Sequence, residues 1–305
     1  MGSRGRVVLC FIIFVFLASC ASAPEAALYD RESSDVLAML PAGAKVYLRI
    51  DAVEGRPLLD VLSFEGIKGN DLSDILDSTD LAAAAIFPEG EGRRFFLAAS
   101  GAFPRAKANF SLTFAKGWKK QKSKDGNSYW YSQKEQIALS LGNRLALVSD
   151  TDPFEKFPLE IPSGEFIDFS RPLALSLWMS KPSETINSFL EFLGVPLQVP
   201  AEEFFFGAER VPPGEDAAPW QLIFRIKTAS AAQARSLVTL FSFARLFIAR
   251  PPENANYMTM SPMEAVALLF ANNPEQNGDV LILRTNPLHE NTIALLFEIF
   301  SIYSN

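Results

Sequence analysis

The chain has 305 residues, 49% of them hydrophobic and 21% charged, with a formal net charge of -7. That is enough apolar material for one large or two smaller packed domains, and the acidic balance argues against a polyanion such as nucleic acid as partner. Two cysteines and one histidine leave almost nothing for disulfide, thiol or zinc chemistry.

Arg4 and Arg6 precede the apolar run Val7 to Leu17, and the small residues Ala18 and Ser19 lead into Cys20. A charged start, a greasy middle and a small-residue exit form the layout of a secretory signal. The run is shorter than the roughly twenty apolar residues needed to cross a bilayer. Leu17-Ala18-Ser19-Cys20 resembles the lipobox of bacterial lipoproteins. That resemblance implies that residues 1–19 are removed as a signal peptide, that the Cys20 thiol carries acyl chains such as palmitate, and that membrane lipid is thereby a partner. A single chain holds a protein weakly, at about 0.8 kcal/mol per buried methylene, whereas two or three hold it durably. Cys10 leaves with the leader and Cys20 is acylated, so the mature fold has no free thiol.

Residues 20–38 read as a tether, because Ala21-Ser22-Ala23-Pro24-Glu25-Ala26-Ala27 is small and aperiodic. In diderm lipoproteins an Asp after the Cys favours retention in the inner membrane. Ala21 and Ser22 lack that signal, which points to the outer membrane, on its periplasmic face or at the surface.

The folded part opens at Leu40-Pro41-Ala42. Val46, Leu48 and Ile50 alternate with polar neighbours in Lys45 to Asp51, a half-buried strand. Arg56 to Phe64 is an amphipathic helix, and Asp71-Leu72-Ser73-Asp74 reads as the N-cap and acidic first turn of another. Strands Leu81 to Phe87 and Arg94 to Ser100 follow, then a helix from Pro104 to Ala115. Four hairpin-linked strands come next, Trp118 to Lys124, Ser128 to Gln133, Gln136 to Leu141 and Arg144 to Ser149, with turns at Asp125-Gly126 and Gly142-Asn143.

The pattern then returns at a spacing of 128 positions, from Gly66-Ile67 to Gly194-Val195 and from Phe96 to Phe224. Matching element order accompanies the matching letters, so the chain reads as a tandem duplication. The first α+β repeat spans residues 39–160 and the second residues 161–305. The second runs strand Leu173 to Met179, helix Ser183 to Leu193, strands Glu203 to Val211 and Trp220 to Lys227, and helix Ala231 to Ala249. Strands near Tyr257, Val266 and Leu281 follow, and Asn286-Pro287 starts a last helix, Leu288 to Ile302. The expected fold class is therefore α+β. It consists of two tandem β-α-β-β-α-β-type units, similar to the split βαβ arrangement, with extra antiparallel strands and helices on one face of each sheet. The Leu-Pro-Ala opening, the strand ending in Asp51, the helix Leu58 to Phe64 and the small-residue strand Phe95 to Ser100 resemble a bacterial envelope family of unknown function. That resemblance implies no catalytic residues.

Nothing in the sequence assembles a catalytic or metal site, and no cofactor is expected. His289 is alone, no Ser or Cys nucleophile motif occurs, and pairs such as Asp150/Asp152 lack calcium-loop spacing. Two surfaces remain. Alternation places Trp118, Lys120, Lys122 and Lys124 on one strand face, a candidate grip for an anionic headgroup or glycan that also reads as protection of a sheet edge. Leu237, Leu240, Phe241 and Phe247, with Leu296 and Phe300 on the last helix, form apolar stripes. These suit burial against a sheet, an amphiphile-holding groove, or an envelope protein partner. The reading is a membrane-anchored envelope lipoprotein with a non-enzymatic binding or scaffolding role. A carrier or sensor of lipid-like molecules is the alternative, and an envelope hydrolase a weaker one.

Overall fold

A computed structural model describes residues 36–61, 69–88, 94–155, 173–192, 198–211, 219–247, 262–269 and 271–303. The leader, Cys20 and most of the expected tether lie outside the described residues, as does the strand expected near Tyr257. The chain divides into two compact units, one of Met1–Arg56 and Ser63–Pro162, the other of Pro57–Leu62 and Ser163–Asn305.

The first unit contains β1 (Val46–Asp51), β2 (Thr79–Ile86), β3 (Phe95–Gly101), β4 (Trp118–Lys122), β5 (Ser128–Ser132), β6 (Ile137–Leu141) and β7 (Leu145–Ser149). In sequence, α1 (Arg56–Val61) and α2 (Gly69–Ser78) separate β1 from β2, and α3 (Arg105–Phe114) separates β3 from β4. The strands lie in the order β1-β2-β3-β7-β6-β5-β4, and the described pairs within the unit are all antiparallel. The α+β class is as expected, but the split βαβ pairing is not what forms. Instead β2 runs antiparallel directly beside β1, from Val46 opposite Ile86 to Asp51 opposite Leu81. Helix α2 begins at Gly69, so Asp71 lies inside it instead of capping it.

Period-two patterning decides which residues face the helices. Phe95 and Ala99 of β3, Ala146 and Val148 of β7, Ile137, Leu139 and Leu141 of β6 and Trp130 of β5 form one buried cluster with Ala108 and Leu112 of α3. Ile75 of α2 packs against the same cluster, so α2 and α3 share that face. The opposite face is covered in part by a 3-10 turn, Val36–Met39, that packs on β2 and β3. Val36, Leu40 and Tyr47 are fully buried, so the folded body begins at least four residues before Leu40. Tyr47 secures this entry: its hydroxyl donates to the Pro41 carbonyl (2.9 Å) and accepts from the Ala44 N–H (3.2 Å).

The second unit contains β8 (Leu173–Ser180), β9 (Glu203–Arg210), β10 (Trp220–Lys227), β11 (Glu275–Asn277) and β12 (Val280–Arg284) in the order β8-β9-β10-β12-β11, again antiparallel. Its other helices are α4 (Ser183–Phe192), α5 (Ala231–Phe247), α6 (Pro262–Leu269) and α7 (Glu290–Tyr303). The strand expected around Val266 is the helix α6. Pro262 stands at its first position, and Met263, Glu264, Ala265, Ala267 and Leu268 are strong helix formers, which decides a short apolar run that periodicity leaves open. The last helix opens at Glu290, not Leu288, because both backbone groups of Leu288 are taken by Trp220 of β10 (2.6 and 3.3 Å).

Candidate functional site: an exposed aromatic pair beside a lysine-bearing edge

Helix α3 carries the two most exposed large apolar side chains among the described residues. Ala108 and Leu112 bury against the sheet at 3% and 6% exposure, while Phe110 and Phe114, two residues further round, are 67% and 74% exposed. At 100° per residue a step of two carries a side chain about 200° around the helix, so the aromatic pair points away from the sheet. The rings stack edge to face with centroids 4.9 Å apart, an i,i+4 contact. Thr113, also exposed, turns its hydroxyl back to the Asn109 carbonyl (2.8 Å), so that hydroxyl is satisfied within the helix.

The helix is fixed in place from below. Asn109 Oδ1 accepts the Trp130 indole N–H at 2.8 Å, tying α3 to β5. Ala115 caps its C-terminus, and Gly117, with φ +95°, turns the chain within three residues into β4. Trp118 of β4 packs against the cluster under the helix.

Register then places the lysines. Lys120 pairs with Trp130 and Lys122 with Ser128, so both rise on the face that carries α3, whereas Lys119 pairs with Tyr131 and lies on the other. The expected alternation of Trp118, Lys120 and Lys122 is therefore real, with two corrections. Lys124 lies beyond the strand, which ends at Lys122, because the Ser123 N–H has already turned to Asn127 (2.8 Å). Ring and base also do not form one grip: Trp118 and Trp130 are spent on packing, while Lys120 and Lys122 remain exposed. On the far face Tyr129 donates to Gln121 Oε1 (2.9 Å), and burial, then the Asp152 and Tyr131 charges, hold its phenol above the ordinary tyrosine value.

The apolar residues expected to form a groove mostly do not. Leu237, Phe241 and Leu296 are core residues of the second unit at 2%, 4% and 2% exposure, with α5 packed on β11 and β12. Leu240 is 39% exposed, and Phe243 beside it 59%. The side chains of Phe247 and Phe300 lie outside the described residues. A row of half-buried rings does run across the sheet, with Phe206 centred 5.2 Å from Phe224 and 6.1 Å from Phe297 of α7. His289 sits just before α7 and contributes its carbonyl to the first turn, accepting from Thr292 and Ile293.

Sequence reasoning missed Phe110 and Phe114. The available signal was a Phe pair at i,i+4 opposite an Ala-Leu pair, inside a stretch from 105 to 124 that carries seven Lys and Arg and no Asp or Glu. Among the described residues no three His, Cys, Asp or Glu side chains converge as metal ligands, and no helix is long and apolar enough to cross a membrane.

Residues 31–152, less than half of the chain, match the model of a family described as outer membrane-associated lipoprotein TP0453. No curated protein matches. Solved structures that share the fold include three crystal forms of TP0453. Crystal form III of TP0453 is 16% identical, with a TM-score of 0.56, covering 90% of this chain and all of that one. Crystal form IV is 17% identical at 0.53, covering 86% and 96%, and crystal form I is 16% identical at 0.51, covering 88% and 99%. The chain thus shares the α+β fold of TP0453 and, over residues 31–152, is similar to an outer membrane-associated lipoprotein family, in accord with the lipid-anchored envelope location expected from its leader.

Proposed function

We propose that the chain is a non-catalytic lipoprotein of the outer membrane, anchored by acyl groups on Cys20, whose folded body also meets a bilayer through the outer face of α3. The observation that carries this reading is the Phe110–Phe114 pair, two large rings left in water on a helix whose other face is fully used. Aromatic side chains at a lipid–water boundary bury area that water penalises, and a short helix lying in the interface is enough to place them. The description of the matched family supports the location. The test is flotation of the chain lacking residues 1–20, which keeps every described element, with lipid vesicles. Phe110→Ser/Phe114→Ser should abolish binding and leave the circular dichroism spectrum unchanged, whereas equal binding by parent and variant rules the surface out.

A second reading, a carrier of amphiphiles, draws on the half-buried rings Phe206, Phe224 and Phe297 in the second unit. Stoichiometric lipid in a native mass spectrum supports it, and a clean apo mass counts against it.

A further inference from the structure

We infer that the first unit prefers an anionic bilayer, reading phosphate-bearing headgroups with the lysines that flank α3; this rests on the reading of α3 as bilayer-facing. The chain carries a net charge of -7, yet all seven charged residues between 105 and 124 are basic. Folding sorts them. Lys120 and Lys122 rise from the α3 side of β4, Lys116 sits in the connection between the two elements, and Lys107 precedes Phe110 by one helical turn. None of these four side chains makes a hydrogen bond or ion pair with a described residue. The acidic helix α2 packs on β2, at the other end of this row of strands, and its Asp77 is paired with Arg56 at 2.6 Å.

Heights decide what the lysines reach. A helix with its side chains is about 10–12 Å across, so the Phe rings stand roughly that far above the sheet, and lysines rising from β4 reach about half as far. An interfacial helix sinks its apolar face about 5–10 Å into the boundary between headgroups and acyl chains. With the rings at that depth the ammonium groups lie at the level of the phosphates. An apolar crest with cations set behind it matches a lipid surface. A nucleic acid would instead meet two uncharged rings first and an acidic chain around them.

The experiment titrates the chain lacking residues 1–20 with phosphatidylcholine vesicles and with vesicles in which about a third of the lipid is phosphatidylglycerol. A lysine near such a surface contributes about a fivefold gain in affinity, so Lys120→Gln/Lys122→Gln should weaken binding to anionic vesicles about 25-fold. Neutral-vesicle binding should stay as in the parent, Lys120→Arg/Lys122→Arg should retain the preference, and salt should reduce it. Equal affinity of the parent for both vesicles, or an unchanged glutamine variant, overturns the inference while leaving the bilayer reading standing. Failure to bind either vesicle overturns both. Tighter binding to single-stranded DNA or polyglutamate than to anionic vesicles overturns the assignment to lipid.

Discussion

Substituting Gly101 with Ala tests whether the sheet beneath α3 is assembled as described. Gly101 ends β3, and a Cβ there would stand 2.0 Å from the Ser78 carbonyl oxygen and 2.8 Å from the Thr79 Cα. Both are backbone atoms, so no side chain can swing away. Relieving the clash separates the ends of β2 and β3 and strains the bonds from Ala102 N–H to Ser78 (2.9 Å) and from Gly101 N–H to Arg144 (3.1 Å). Overpacking costs about 1–3 kcal/mol and each lost backbone bond about 1 kcal/mol, so Gly101→Ala should destabilise by about 3–5 kcal/mol. Against a total of about 5–15 kcal/mol this is a large loss, read as a fall in the urea midpoint. Gly126→Ala is the control: its φ is +84° but nothing lies within 4 Å, so only the left-handed strain of about 1 kcal/mol applies. A Gly101→Ala loss no larger than that of Gly126→Ala would refute the close approach of β2 and β3.

Two further outcomes follow from residues at the entrance of the chain. Tyr47→Phe leaves the Pro41 carbonyl and Ala44 N–H without their partner, and thermal or urea unfolding should show a loss of about 1–3 kcal/mol. Burial raises the Tyr47 pKa above 10.0, against two lowering backbone hydrogen bonds. Its contribution is therefore complete below the unfolded value and is lost as pH climbs through the higher folded one, so the gap between parent and Tyr47→Phe should narrow in alkaline titration. Cys20→Ser should abolish palmitate labelling in cells and move the protein from the detergent phase to the aqueous phase.

Most of the strands were legible because the sheet obeys alternation: Trp118 to Lys124 reads as a strand from letters alone, the strand itself ends at Lys122, and register shows that Lys120 and Lys122 share a face. Pairing was not legible. The element order β-α-β-β-α is compatible with parallel or antiparallel neighbours, and it is the register of the folded sheet that decides between them. The run Met263 to Leu269 has no polar residue after Glu264 to mark a period, so a strand assignment had nothing to contradict it.

The candidate surface was half legible for a related reason. Helix α3 carries two apolar stripes, Ala108 with Leu112 and Phe110 with Phe114, and hydrophobicity favours burying the larger. Packing space beneath the helix is already filled by Trp130, Ile137 and Leu139, so the small pair goes down and the aromatic pair stays out. Exposure of the wrong-sized stripe is a tertiary outcome, and it is the step on which the functional proposal depends.

The decisive measurement exploits the absence of cysteine after Cys20. In the chain lacking residues 1–20, Thr113→Cys places a single thiol on the outer face of α3, and Gln133→Cys places one in the exposed turn between β5 and β6; each is labelled with a polarity-sensitive fluorophore. Adding anionic vesicles should shift emission to the blue at position 113 and leave position 133 unchanged. No shift at 113, or equal shifts at both, would contradict the account.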